Sequence, residues 1–373
     1  MSEAINYQGV DDSAPSELQS MIADSVERLF AEQVTPALLE RFDAGHNADE
    51  LWQMVVDNGL PGALVPEAAG GSGASWLDAS PVLRAIGYWQ APLALGETML
   101  ASLLLARAGL EVPEGAISLI QTGRLGDLRL SEDGQHLDGR AVNVPWARSC
   151  RWAVIAAAGR LVLVDLRQDA ISLQAQTNFA GEERDTLVFA NAATLACGDL
   201  QLADVAEPVW LLGALVRSCM IVGALESSLD KAVQYANERV QFGKPIGKLQ
   251  ALQQYLAQMA GSTGAARIAV QIALRSAVEA MQAEPGSRST LAFDIAVAKV
   301  CAGEAASLAC SVAHQVHGAI GFTHEHTLHF ATRRLWSWRD EFGSDAQWAK
   351  VLGQSAIAAG SEGFWAGLTA RSL

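Results

Sequence analysis

Along the chain, apolar positions recur first at helical spacing, then at strand-like spacing, and then at helical spacing again over longer stretches. From Ser16, which suits an N-cap with Glu17 in the first turn, Leu18, Met21, Ile22, Val26, Leu29 and Phe30 fall on one face and predict a helix. Leu51, Trp52, Val55 and Val56 form a second stripe that stops at Asn58-Gly59, and a glycine-rich loop runs from Leu64 to Gly73. Helical patterns continue over about 76–88, 97–109 and 115–123, so residues 1–124 read as an all-α domain. Residues 125–207 change character. Runs such as Trp152–Ile155 and Leu161–Val164 alternate with turn signals at Glu132-Asp133-Gly134 and Ala180-Gly181, which predicts a small β domain. Over 208–373 the helical period returns at about 209–238, 248–282, 289–316 and 345–371, with Glu284-Pro285-Gly286 breaking two of these segments. Four helices of that length predict a bundle, and the expected class is α+β.

Composition narrows the function classes. A chain of 373 residues with 50% hydrophobic and 18% charged residues has material for two or three domains and a large core. The formal charge of -15, from 26 basic and 41 acidic residues, opposes general affinity for nucleic acid or an anionic membrane. An anionic ligand would need a local basic pocket. The cysteines, at 150, 197, 219, 301 and 310, are scattered and lack paired spacing, as expected of reduced cytosolic thiols. The N-terminus has no basic flank or apolar core, and no apolar run in the sequence suggests a membrane span. The expected location is cytoplasmic.

Two segments carry chemistry. The first is Arg239-Val240-Gln241-Phe242-Gly243-Lys244-Pro245-Ile246, followed by Gln250; the second is Gln315-Val316-His317-Gly318-Ala319-Ile320-Gly321-Phe322. An arginine at a helix end, exposed amides beside a glycine and amide side chains together suit a pyrophosphate. With Val65-Pro66-Glu67 and Gly70-Gly71, and with the order helical, β, helical bundle, they make the chain resemble the acyl-CoA dehydrogenase family over nearly its whole length. The resemblance implies an N-terminal helical domain, a middle β domain and a C-terminal four-helix bundle. It also implies an FAD whose ADP end is held by one subunit and whose flavin ring lies in its neighbour. Carried over to this sequence, Arg239, Gln241, Phe242, Ile246 and Gln250 would meet the ADP end, with Gln315, Val316, Gly318 and Ala319 lining the same place. Ala319 departs from the second glycine usual in the family.

The other half of a flavin site is hard to find. Relatives hold the flavin ring with a Thr-Glu and Gly-Ser-Asp loop and a Trp-Ile-Thr-Asn strand; here Gly123 to Leu130 runs directly into the β domain. At the second place stands Ala141-Val142-Asn143-Val144-Pro145-Trp146-Ala147, where Pro145 cannot donate to a ladder. Trp146 either covers a flavin face or plugs the β-domain core. The family's reaction withdraws a hydride and an α-proton from an acyl-CoA, and a glutamate at one of two positions takes the proton. Counting from the motifs, these positions fall on Phe342 and near Gly213, with no carboxylate at either; Glu341, one residue off, is a candidate base or else a solvated charge near a helix N-terminus, and the expectation is that it is not the base. His317, His324, His326 and His329 lack metal-ligand spacing, so no metal is expected. Trp336, Trp338, Phe342 and Trp348 read as packing.

Some bacterial relatives of this family degrade steroid or other bulky acyl side chains as two dissimilar subunits, one of them degenerate, and this chain resembles the degenerate kind. The resemblance then implies an acyl-CoA substrate, a complete paralogue as partner in a heterotetramer and an electron-transferring flavoprotein as acceptor. Two alternatives stand beside it: a self-sufficient homo-oligomer using Glu341, and a non-catalytic scaffold or ligand-binding protein.

Overall fold

In a computed structural model, the structure describes residues 15–369 except 125, 201, 203, 204, 242, 284–286 and 288. Five helices open the chain: α1 (Glu17–Gln33), α2 (Pro36–Asp43), α3 (Asp49–Asp57), α4 (Trp76–Trp89) and α5 (Leu95–Arg107). Ser16 caps α1 by accepting from the Gln19 N–H at 2.9 Å, as its sequence position predicts. The segment 115–123, expected to be helical, instead contains strand β1 (Ile117–Gln121), buried throughout. It pairs in parallel with β4 (Trp152–Ala157), so the sheet takes a strand from the sequence ahead of residue 125. A five-residue run buried on both faces has no period of its own, and its neighbours decide its conformation.

The other strands of the middle region are β2 (Arg129–Leu130), β3 (His136–Pro145), β5 (Arg160–Asp165), β6 (Ile171–Gln174), β7 (Arg184–Ala193) and β8 (Ala196–Asp199). They form two four-stranded sheets, ordered β1-β4-β5-β8 and β2-β3-β7-β6. Alternation explains why β4 and β5 read as continuous apolar runs. Ala153, Ile155, Val162 and Val164 pack into the core between the sheets, while Val154, Ala156, Leu161 and Leu163 pack against the helices.

The C-terminal region contains α6 (Pro208–Glu238), α7 (Gln250–Gln282), α8 (Leu291–His317), the short α9 (Leu328–Trp338), which the sequence pattern did not separate, and α10 (Asp345–Thr369). A small hairpin, β9 (Val240–Gln241) and β10 (Lys244–Pro245), follows α6. Contrary to the expectation from sequence, α6 and the stretch Leu291–Phe322 are long and apolar enough to cross a bilayer; in α6, 94% of the apolar stretch is instead buried in the protein. The N-terminal region docks on the bundle where α4 crosses α6. A Cβ at Gly87 would stand 1.8 Å from the Met220 carbonyl oxygen, and one at Gly223 would stand 2.0 Å from that of Arg84. Only glycine permits this approach.

Candidate functional site

The two positions at which the resemblance would place a glutamate, Phe342 and the neighbourhood of Gly213, are far apart in sequence and meet in the fold. Gly213 lies on α6, and Phe342 lies in the turn between α9 and α10. A Cβ at Gly213 would come within 2.4 Å of the Phe342 ring, so the phenylalanine occupies the space that a longer residue would need. Trp210 meets that ring edge-on at 6.2 Å, the Arg217 guanidinium lies 5.6 Å from it, and the Trp348 indole N–H donates to the Phe342 carbonyl at 2.9 Å. The turn is tightly formed, with Phe342 in the left-handed region at φ 52°. At both positions the side chain that would act as a base is missing.

Glu341, the sequence candidate, is engaged elsewhere. Arg184 donates to it through Nε at 2.7 Å and Nη2 at 2.8 Å, Arg217 through Nε at 2.6 Å and Asn178 through Nδ2 at 3.0 Å. Burial pushes its carboxyl up, but Arg184 and Arg217 outweigh that and bring it down to about 2. A carboxylate so held is a poor proton acceptor. The pairing extends in both directions: Arg217 also donates to Glu97 on α5, and Arg184 to Glu182, which accepts from Arg334 Nε at 3.0 Å and from the Trp338 indole at 2.8 Å. Three carboxylates and three guanidinium groups thus alternate through the junction of the helical region, the sheets and the bundle. Lys299 on α8, fully buried, supports the turn from below by donating to the carbonyls of Arg339 at 2.6 Å and Gly343 at 2.7 Å.

Sequence reasoning missed Glu97, Glu182, Arg184, Arg217, Lys299 and Arg334. One signal was present. Arg217, Glu97 and Lys299 each interrupt an apolar helical run, and a charge there must find a partner when the helix is buried.

A cleft of about 340 Å3 remains beside this centre, lined by Asn143, Pro145, Arg184, Trp210, Glu341 and Phe342. The arginine is already paired, and the register of β3 against β7 is broken between Ala141 and Val144. The Trp146 ring is buried beside Phe42, at 5.9 Å, and packs with Ala94 and Cys150. The ring therefore packs between the helical region and the sheets, not in the β-domain core expected from sequence.

The residues expected at an ADP end suit it. Arg239 closes α6, its N–H donating to the Tyr235 carbonyl at 2.9 Å, and its exposed side chain has no ion-pair partner among the described residues. Gln241 and Gln250 are also exposed, and Gly243 makes the hairpin turn at φ 76°. Phe242 lies outside the described residues. On the next long helix, Gln315 and Gly318 line a cavity of about 400 Å3 with His314, Phe322 and Trp336; Arg239, Gln241 and Gln250 are not in its walls. Nothing lies within 4 Å of a Cβ built at Gly318, so its backbone is open to a ligand, and the neighbouring Ala319 is exposed. Ile246 and Val316, expected as contacts, are buried side chains and shape this region from beneath. His317 stacks on Tyr235 at 4.6 Å and meets His326 at 4.4 Å, and no group of three metal-ligating side chains able to hold a metal occurs among the described residues. Trp338, Phe342 and Trp348 are buried, whereas Trp336 is partly exposed.

Comparison with known proteins identifies the family. The family model described as "Acyl-CoA dehydrogenase, N-terminal domain" matches residues 16–112, and that described as "Acyl-CoA dehydrogenase, C-terminal domain" matches 211–346. The chain is 28% identical over 324 residues to the acyl-CoA dehydrogenase IpdE2 of Mycobacterium tuberculosis, covering 86% of this chain and 91% of that one. Its fold is similar to a chain of the ChsE4–ChsE5 complex from Mycobacterium tuberculosis, with a TM-score of 0.82 at 22% identity over 94% of this chain and 100% of the other. It is similar too to a variant of the Tcur3481–Tcur3483 steroid ACAD, with a TM-score of 0.81 at 21% identity over 93% and 100%. The helical, β and helical regions, both motifs and these matches place the chain in the acyl-CoA dehydrogenase family, whose members typically bind FAD.

Proposed function

We propose that this chain is the non-catalytic subunit of a heteromeric acyl-CoA dehydrogenase and that it supplies the ADP-end contacts of an FAD whose ring lies in a complete partner subunit. The observation that carries this reading is the centre at Phe342. The two positions for a base hold a glycine and a phenylalanine in contact, and the nearest carboxylate, Glu341, is clamped by Arg184 and Arg217. Arg239, Gln241, Phe242, Gln250, Gln315, Gly318 and Ala319 then serve the partner's cofactor, Arg239 meeting the pyrophosphate charge through its planar fork. The reaction of the assembly is α,β-dehydrogenation of an acyl-CoA. A bulky or steroid acyl group is favoured by the likeness to a steroid ACAD, and the electron acceptor is an electron-transferring flavoprotein. We place the assembly in the cytoplasm, in keeping with its scattered reduced cysteines.

Expression with and without a complete paralogue tests this. The chain alone should purify with little or no FAD, and the pair should give a yellow hetero-oligomer that melts higher when FAD is added. Stoichiometric FAD in the lone chain would favour a self-sufficient homo-oligomer instead.

A further inference from the structure

A cleft of about 380 Å3 lies between the N-terminal helical region and the bundle, away from both the closed centre at Phe342 and the Arg239 region. Its walls include Trp76 at the start of α4, Leu103 of α5, and Val278 and Met281 near the end of α7; Glu67 and Arg107 also line it. The loop that borders it is pinned in place. The Gly73 N–H donates to the Val65 carbonyl at 2.8 Å and the Ala74 N–H to that of Ala63 at 3.0 Å, so the cleft is formed before any ligand arrives.

Arg107, the last residue of α5, donates through Nη2 to the Met281 carbonyl at 2.6 Å and has no carboxylate partner among the described residues. Partial burial pulls its pKa down with no charge to offset the lost hydration. The other donors of its fork have no partner among the described residues and can meet a bidentate acceptor. On a chain of net charge -15, an anion binds only where a local basic group offsets the overall field. Glu67, which likewise has no ion-pair partner among the described residues, opposes a second negative charge in the same cleft.

We propose that this cleft binds a small monocarboxylic acid with an apolar body, the carboxylate pairing with Arg107 and the body packing on Trp76, Leu103, Val278 and Met281. This site is independent of the dehydrogenase-subunit reading. Its ligand is a free acid, in which the charge recognised is the carboxylate itself.

Octanoate is a suitable probe, with octanol, octanamide and octanedioate as comparators, measured by calorimetric titration and thermal shift on the full chain. Octanoate should bind saturably at one site and raise Tm, and each comparator should bind at least tenfold more weakly. Arg107→Met should weaken octanoate tenfold or more, as expected for loss of a charge-assisted pair. Val278→Trp, which fills the cleft from a half-buried position, should abolish binding. Circular dichroism checks that both variants are folded, and Val278→Trp decides the matter if Arg107→Met is not. Absence of saturable binding, equal affinity for octanol and octanoate, or undiminished binding in a folded variant overturns the proposal.

Discussion

Replacing Glu341 by glutamine keeps the shape of the side chain and removes the charge that faces Arg184 and Arg217. The folded carboxyl is held near 2 against an ordinary value of 4.5, and its side chain is only 16% exposed, so screening by solvent is modest. At 1.36 kcal/mol per unit, the ionised form is favoured by about 3 kcal/mol. Removing one partner from a buried pair typically costs about 3–5 kcal/mol, which agrees. A loss of about 3 kcal/mol lowers Tm by roughly 6–12 °C at the 2–4 °C per kcal/mol seen in larger domains. The pH dependence has a definite sign. Because the folded pKa lies below the unfolded one, the stabilisation is present above about pH 4.5 and is lost as pH falls towards 2. The gap between parent and Glu341→Gln, followed by thermal unfolding, should therefore be full at pH 7 and should close across that window. In the assembled enzyme, turnover per bound flavin should stay within a few-fold of the parent, whereas loss of a general base costs roughly a hundredfold or more. A variant that melts like the parent at pH 7 but turns over a hundredfold more slowly refutes both the clamp and the non-catalytic assignment.

Gly213→Ala should cost about 1–3 kcal/mol through overpacking against Phe342, and less when Phe342 is already alanine; strictly additive effects in the unfolding cycle would show that the two residues do not meet. Phe342→Ala alone should destabilise by about 3–5 kcal/mol in denaturant unfolding, since the ring is buried between Gly213, Trp210 and Arg217. Lys299→Met should lose several kcal/mol of stability by leaving the Arg339 and Gly343 carbonyls unpaired at about 1–3 kcal/mol each, and an unchanged Tm would argue against its bracing role. Arg239→Ala should weaken FAD retention by the assembled complex roughly tenfold to a hundredfold, with Arg239→Lys restoring part of it. If both Arg239 variants keep FAD as tightly as the parent while assembled, that residue is only a helix end.

What the sequence discloses here depends on how local the physics is. The Ser16 cap, the stripes of α1 and α3 and the long periods of α6, α7 and α8 follow from spacing within a turn or two, and they lie where the pattern puts them. Ile117–Gln121 does not, because its strand state comes from pairing with residues 35 positions on, such as Trp152. The same distinction divides the site. Arg239, Gln241 and Gln250 stand on one short exposed segment and declare themselves as a motif. The ion chain joins Arg217 to Glu97 and to Glu341, 120 and 124 residues away, and no local pattern connects them.

The Phe342 centre shows how a local count and a global contact combine. Counting along the chain places one expected base position on Phe342 and the other near Gly213, each lacking a carboxylate and neither informative alone. The fold brings the two to the same point, where one ring fills the space left by the other residue's missing side chain. A single substitution at either position would then not restore a base. A glutamate at 213 would strike the Phe342 ring, and a glutamate at 342 would stand close to the Arg217 guanidinium, which lies 5.6 Å from the present ring and would depress its basicity. A glutamate placed at 342 would in addition compete with Glu341 and Glu97 for Arg217. The two features that close this centre therefore reinforce each other, which supports the proposal that a partner does the chemistry.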